Sequence, residues 1–239
     1  MGSDDKTPSA KQLDWVQIRT LLFLGLLGGC MTFVGDWLLG YGVTDARLTG
    51  LERKLSQYLV LSDRTLFWSA FLGLIGISLE GVCYLGICRL LRSERYAHVF
   101  RVGAFGYMLF AACGVHVPCL ATVFFYKHMM LASPETAYDL TVTFGLYFLL
   151  PAMILFLAAF LVMSAAQIGA FAKGLTPYPR WCWIFSMPVA MAATMLLKLT
   201  GDHAVTNGLT AAWISIGNIW MFGGLLMMMR RAKERSHIS

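Results

Sequence analysis

The chain has 239 residues, 58% of them hydrophobic and 13% charged, with a mean hydropathy of +0.65. A soluble domain of that length needs far more polar surface, so the composition excludes one and leaves no room for a second, water-soluble unit. The net charge of +6 is explained below by its placement along the chain, without invoking nucleic acid.

The opening "MGSDDKTPSAKQLDW" has no apolar core region and no small-residue cleavage site, so no secretory signal peptide is expected there. Six apolar runs follow, at roughly 20–42, 65–90, 102–126, 141–170, 181–200 and 207–229. Each is about 20 residues or more, enough to cross a hydrocarbon core of ~30 Å as a helix. The expected fold is all-α: a polytopic transmembrane helix bundle of about six spans. Residues 1–18 form an N-terminal segment, 19–230 the bundle and 231–239 a tail.

Between the spans the chain turns polar. "VTDARLTGLERKLSQYLVLSDRT" is the longest connection, and Leu48, Leu51, Leu55 and Leu59 with interleaved charges suggest a short amphipathic helix at the interface. "RLLRSERYAHVFR", "YKHMMLASPETAYD", "FAKGLTPYPRW" and "LTGDHAVTN" read as the remaining loops. No internal repeat stands out. With both termini on one side, that side holds 13 of the 19 Lys and Arg and the other holds 6. The positive-inside rule then makes the termini cytoplasmic and the protein a multi-pass cell-membrane protein.

Helical spacing organises the polar residues inside the spans. Gly25, Gly29, Thr32, Asp36 and Gly40 share one face of the first span. Ser69, Gly73, Gly76, Glu80 and Tyr84 share one of the second, and Gly103, Gly106, Cys113 and His116 one of the third. Asn207, Ala211, Ser215 and Asn218 share one of the sixth. Small residues let membrane helices approach closely, and polar side chains then find partners across the contact. At ~1.5 Å per residue, Asp36 lies about 7 Å outward of its span's centre, and Glu80, His116 and Asn218 lie near theirs. Their depths overlap, and carboxylates inside a bilayer are costly enough to mark function.

Each group alone has a plain reading: Asp36 hydrated from the surface, Glu80 protonated and bonded to a carbonyl, His116 serving the backbone near Pro118. Together, on compatible faces, they point to a polar intramembrane cavity. Asp36, Glu80, His116 and Asn218 are therefore the candidate catalytic residues. Tyr84, Thr32, Asp202, His203 and Trp220 are candidate substrate contacts, with the Gly-Asp-His turn at 201–203 placed above the cavity. Asp36, His116, His128, Asp202 and His203 could ligate a metal only without any H-x-x-x-H or H-E-x-x-H spacing, so no metal is expected, and no cofactor is specified. The six cysteines have no C-x-x-C pair and read as thiols packed inside spans. Single mid-span His116 excludes a bis-histidine haem, and a Gly-x-Ser-x-Gly elbow is absent.

At Gly35-Asp36-Trp37-Leu38-Leu39 the chain resembles uncharacterised multi-span bacterial membrane proteins that carry Gly-Asp-x-Leu-Leu near the end of the first span. Gly35, Asp36 and Leu39 are also similar to the Gly-Asp-x-x-Leu element of lysoplasmalogenase-like membrane hydrolases. That second likeness covers a handful of residues, the six spans are fewer than that family's, and no second aspartate motif matches. It implies lipid chemistry. The resulting expectation is an enzyme using acid/base chemistry on a membrane lipid or other hydrophobic small molecule. A proton-coupled transporter, with Pro118, Pro151 and Pro188 loosening three spans, is the alternative. A sensor or assembly subunit whose polar faces only bind helices together is a third.

Overall fold

A computed structural model describes residues 13–238, and every regular element among them is helical. The proposed N-terminal segment therefore lies largely outside the described residues. Helix α1 is Trp15–Gly40, α2 Gly50–Ser56 and α3 Asp63–Leu90. Two helices of 39 residues follow, α4 at Glu94–Ala132 and α5 at Pro134–Ala172. A 3-10 turn at Arg180–Ile184 leads to α6, Met187–Thr200, then α7, Ala204–Ala211, and α8, Trp213–Ile238.

Local chemistry explains the starts. The Asp14 carboxylate accepts from Gln17 N and the Ser62 hydroxyl from Thr65 N, each satisfying a donor that a helix N-terminus leaves unpaired. Pro134 and Pro188 occupy first-turn positions, where their missing N–H is harmless. Gly201, at φ +104°, sets the tight turn before α7.

Among the described residues four helices, α1, α3, α4 and α5, are long and apolar enough to cross a membrane, and the α7–α8 pair makes a fifth candidate with a 62° bend. The expected span at 181–200 is instead the 3-10 turn followed by a 14-residue helix. Pro188 cannot sit mid-helix without removing a hydrogen bond, so it opens α6, and the last five residues tighten into 3-10 geometry. At about 23 Å, α6 is too short to cross a ~30 Å core alone. The sixth span likewise breaks at Ala212, so Asn207 and Ala211 do not continue the face of Ser215 and Asn218.

The polar stretch expected as the third loop is mostly helical: Ser133 alone separates α4 from α5. Both helices are about 58 Å long, well beyond the hydrocarbon thickness. Within α4, Phe110–His116 is a π-turn directly before Pro118, and Gly145–Leu149 in α5 is another before Pro151. The wider turn accommodates a proline ring without breaking the helix.

Trp15 and Lys233 line one groove, so both ends of the described chain lie at the same end of the bundle. At that end Arg92 N donates to Leu175 O, and the Tyr178 hydroxyl to Leu225 O. At the other, loop-bearing end Asn207 Nδ2 donates to Gly42 O, and Lys127 Nζ lies 2.6 Å from Asp63. Helix α2 stands at this end too; of its expected apolar stripe, Leu55 packs on Tyr126 and Ala137 while Leu51 is exposed.

Glycine permits the tightest contact, between α1 and α3. A Cβ on Gly28 would meet Gly76 O at 2.9 Å, and one on Gly35 would meet Ser69 O at 2.9 Å and Gly73 N at 3.1 Å. Gly25, Gly29 and Gly40 do the same toward Phe222, Ile219 and Ala211. Helix α1 thus has two close-approach faces, one for α3 and one for α8 and α7. Large apolar side chains such as Phe67, Val102, Ile154 and Leu199 cover the outside, the pattern of a surface facing lipid. Cys83 and Cys182 are buried as expected, whereas Cys30 and Cys113 are exposed on that outer surface.

Candidate functional site

Asp36 lies on α1, and a turn of that helix separates it from Thr32. Toward α8, Asp36 Oδ2 accepts a short hydrogen bond from the Ser215 hydroxyl. Toward α4, its Oδ1 lies 3.7 Å from His116 Nδ1. The other ring nitrogen, Nε2, is 3.2 Å from the backbone oxygen of Ser69. A carbonyl oxygen only accepts, so Nε2 carries the proton and Nδ1 is the nitrogen left to exchange one with Asp36. Gly73 makes this possible: any Cβ there would occupy the imidazole's position. Ser69 is held in turn by donating to Gly35 O at 2.7 Å.

One turn further along α1 lies a second, fully enclosed group. Glu80 on α3 has no exposed surface. Its Oε1 accepts from the Thr32 hydroxyl at 3.2 Å and its Oε2 from Asn218 Nδ2 at 2.7 Å. The Asn218 amide also donates to the Tyr107 hydroxyl at 3.3 Å and accepts from Tyr84 at 2.8 Å. Tyr84 is fixed by stacking on Phe222 and by an edge contact with Tyr107, each at 5.6 Å. Thr32 shares its single proton between Glu80 and Gly28 O. Four helices, α1, α3, α4 and α8, supply these groups, and buried polar groups paired this completely are far less costly than isolated ones.

The structure therefore brings together Asp36, His116, Glu80, Asn218, Thr32 and Tyr84. Sequence reasoning left out three further members as site residues: Ser215, Tyr107 and Ser69. The first and last stood on the polar faces already traced; Tyr107 was signalled only by its four-residue spacing from Gly103. The third-span face itself is corrected. Gly103 and Gly106 pack against Met163 and Ala159 of α5, and Cys113 faces outward. The π-turn inserts an extra residue per turn, which rotates His116 off the Gly103 face and toward α3.

Three candidate contacts lie elsewhere. Asp202 belongs to a clasp at the loop end: it accepts a short bond from the Thr44 hydroxyl, takes Asn207 Nδ2 at 2.6 Å and pairs with Arg53 at 3.3 Å. His203 is exposed, and its backbone oxygen accepts from Asn207 N. Trp220 points away from the network, its indole donating to Ile184 O at 2.8 Å beside Phe185, and is 42% exposed. Lys127 and His128 face Asp63 rather than the Asp202 turn. Among the described residues no three His, Cys, Asp or Glu side chains are grouped to hold an ion, so the candidate ligands are not assembled.

The clasp has a testable pH dependence. Hydrogen bonds from Thr44 and Asn207, with the Arg53 charge, hold the Asp202 carboxyl below the usual carboxylate range. A depressed folded-state value stabilises fully above the unfolded value, near pH ~4, and is lost as pH falls through the lower one. The wild-type melting temperature should therefore drop below about pH 4 more steeply than that of Asp202→Asn. Parallel melting curves for the two proteins would exclude the clasp as a stabilising contact.

Accessibility separates the two halves of the network. Asp36 keeps 17% of its side-chain surface exposed, whereas Glu80, Asn218 and Ser215 are sealed and His116 nearly so. What the fold and site define is an all-helical bundle with apolar flanks and an interior polar network. The chain matches the DUF6796 family, a family of unknown function, over residues 5–232, and belongs to it. No curated protein and no solved structure matches the chain.

Proposed function

We propose that the protein is an integral membrane enzyme that uses the Asp36–His116 pair for acid/base chemistry on a lipid or other hydrophobic small molecule. The chain crosses the membrane six times with both ends cytoplasmic, the 3-10 turn and α6 together making the crossing that α6 is too short to make alone. Thirteen of nineteen basic residues on one side and the shared location of Trp15 and Lys233 support that topology. The single observation that carries the catalytic reading is the Asp36–His116 contact at 3.7 Å, with the carboxylate the one partly accessible member of the network. With Nε2 committed to Ser69 O, Nδ1 is the ring nitrogen facing Oδ1, and a proton passes between them when the pair closes from 3.7 Å to hydrogen-bond distance. The pair can give or take that proton where a reacting atom approaches Asp36. Ser215 orients the carboxylate, and Glu80, capped by Asn218 and Thr32, fixes the helices that carry the pair. The Gly35–Asp36–Leu39 likeness to membrane hydrolases supports a lipid substrate.

A proton-coupled carrier is the second reading, and two features favour it. His116 closes a π-turn, and Ser215 follows the 62° break between α7 and α8, so both partners of Asp36 sit where their helices can flex. Incubating the purified protein in nanodiscs of total lipid extract and following lipid products by mass spectrometry distinguishes the two. Turnover should fall about 100-fold or more in both Asp36→Asn and His116→Ala, with melting temperature changed by little. Substrate-driven acidification of proteoliposomes that both variants abolish, with no product formed, would establish the carrier instead. Unaltered turnover in both variants would remove the pair from any catalytic role.

A further inference from the structure

We infer that the groove between the first turns of α1 and the last turns of α8 binds an anionic phospholipid. Its volume is about 690 Å³, and it lies at the end of the bundle that carries both chain ends, remote from Asp36. The inference does not depend on the acid/base reading. Arg19 comes from α1, and Arg230 and Lys233 come from α8; all three are exposed cations, and among the described residues no carboxylate lines the groove. Glu234 engages Arg230 Nε at 3.1 Å, one face of a guanidinium that has five N–H donors. The wall beside the cations is apolar, with Phe23 and Leu24 following Arg19 along α1 toward the bundle centre. Trp15 stands at the rim, the position aromatic residues take at a membrane interface.

That order, three cations above an apolar channel, fits a phosphate headgroup with an acyl chain below it. A free anion would leave the channel unused, and a neutral lipid would leave the cations uncompensated. Basic pockets between helices at the cytoplasmic side are a recurring setting for anionic headgroups, and arginine's forked donors match phosphate oxygens two at a time.

The test uses the full chain reconstituted in vesicles of equal phosphatidylglycerol and phosphatidylcholine, then extracted for native mass spectrometry. The wild type should retain phosphatidylglycerol over phosphatidylcholine by about tenfold, the three cations favouring an anionic headgroup over a zwitterionic one. The groove variant Arg19→Gln/Arg230→Gln/Lys233→Gln should lose the preference. Arg95→Gln/Arg101→Gln/Arg180→Gln, at the same end but outside the groove, should keep it. Lys233→Gln alone, a single exposed change, should reduce the preference about twofold and serves if the triple variant does not fold. The inference fails if the wild type shows no preference, if the groove variants keep it, or if the control loses it equally. It also fails if soluble glycerol phosphate displaces the retained lipid at millimolar concentration, which would make the groove a site for the anion alone.

Discussion

Asn218→Leu is expected to lower stability by about 3–5 kcal/mol, the largest loss from any single change in the polar network. Asn218 makes three side-chain hydrogen bonds, to Glu80, Tyr84 and Tyr107. Inside membranes such bonds average only ~0.6 kcal/mol each, so their direct loss accounts for about 2 kcal/mol. The remainder comes from what is stranded: the Glu80 carboxyl and two tyrosine hydroxyls stay buried with fewer partners, and water cannot reach them. Removing the carboxyl as well should relieve part of that. The double variant Glu80→Leu/Asn218→Leu should therefore lose at least about 1 kcal/mol less than the sum of the two single changes. Thermal melting in nanodiscs measures all three; an Asn218→Leu protein that melts within a degree of the wild type would show that the network contributes little.

Gly76→Ala should cost about 3 kcal/mol and should also disturb the site at a distance. A Cβ at Gly76 would lie 2.7 Å from Gly28 O and 2.8 Å from Thr32 N, and would overlap the Thr32 hydroxyl. Backbone atoms of a packed helix cannot move aside as a flexible side-chain tip can, so α1 and α3 must separate. That separation withdraws Thr32 from Glu80 and shifts Asp36 relative to His116. Gly223→Ala is the matched control, because its Cβ would meet only Leu26 Cδ1 at 3.7 Å, an ordinary contact. It should match or exceed the wild type in melting temperature, since alanine is the better helix former by about 1 kcal/mol. Equal behaviour of the two variants would mean that the α1–α3 approach is not what limits stability.

The face of α3 was fully legible from spacing: Ser69, Gly73, Gly76, Glu80 and Tyr84 are all buried, and each takes part in the α1 contact or the network. Asp36 and Asn218 were legible for the same reason, because an apolar span makes each polar residue conspicuous. Regular helical periodicity also set the limits. The π-turn at Phe110–His116 shifts the phase of α4 between Gly103 and His116, and a fixed count of three or four residues carries no trace of that shift. The break at Ala212 has neither Gly nor Pro at the bend. It follows from tertiary packing, with Gly208 against the Trp37 ring and Gly40 against Ala211. Charge pairs at the loop end were not legible, because exposed charges have several partners within reach. Proximity in three dimensions selected Asp63 for Lys127 and Arg53 for Asp202.

Each interior carboxyl takes a donor from α8: Ser215 serves Asp36 across 179 positions of chain, and Asn218, beside Thr32 of α1, serves Glu80 across 138. During synthesis the early helices therefore emerge with acidic groups that have not yet met those partners. Chains truncated before α8 would leave Asp36 without its Ser215 donor and Glu80 with Thr32 alone.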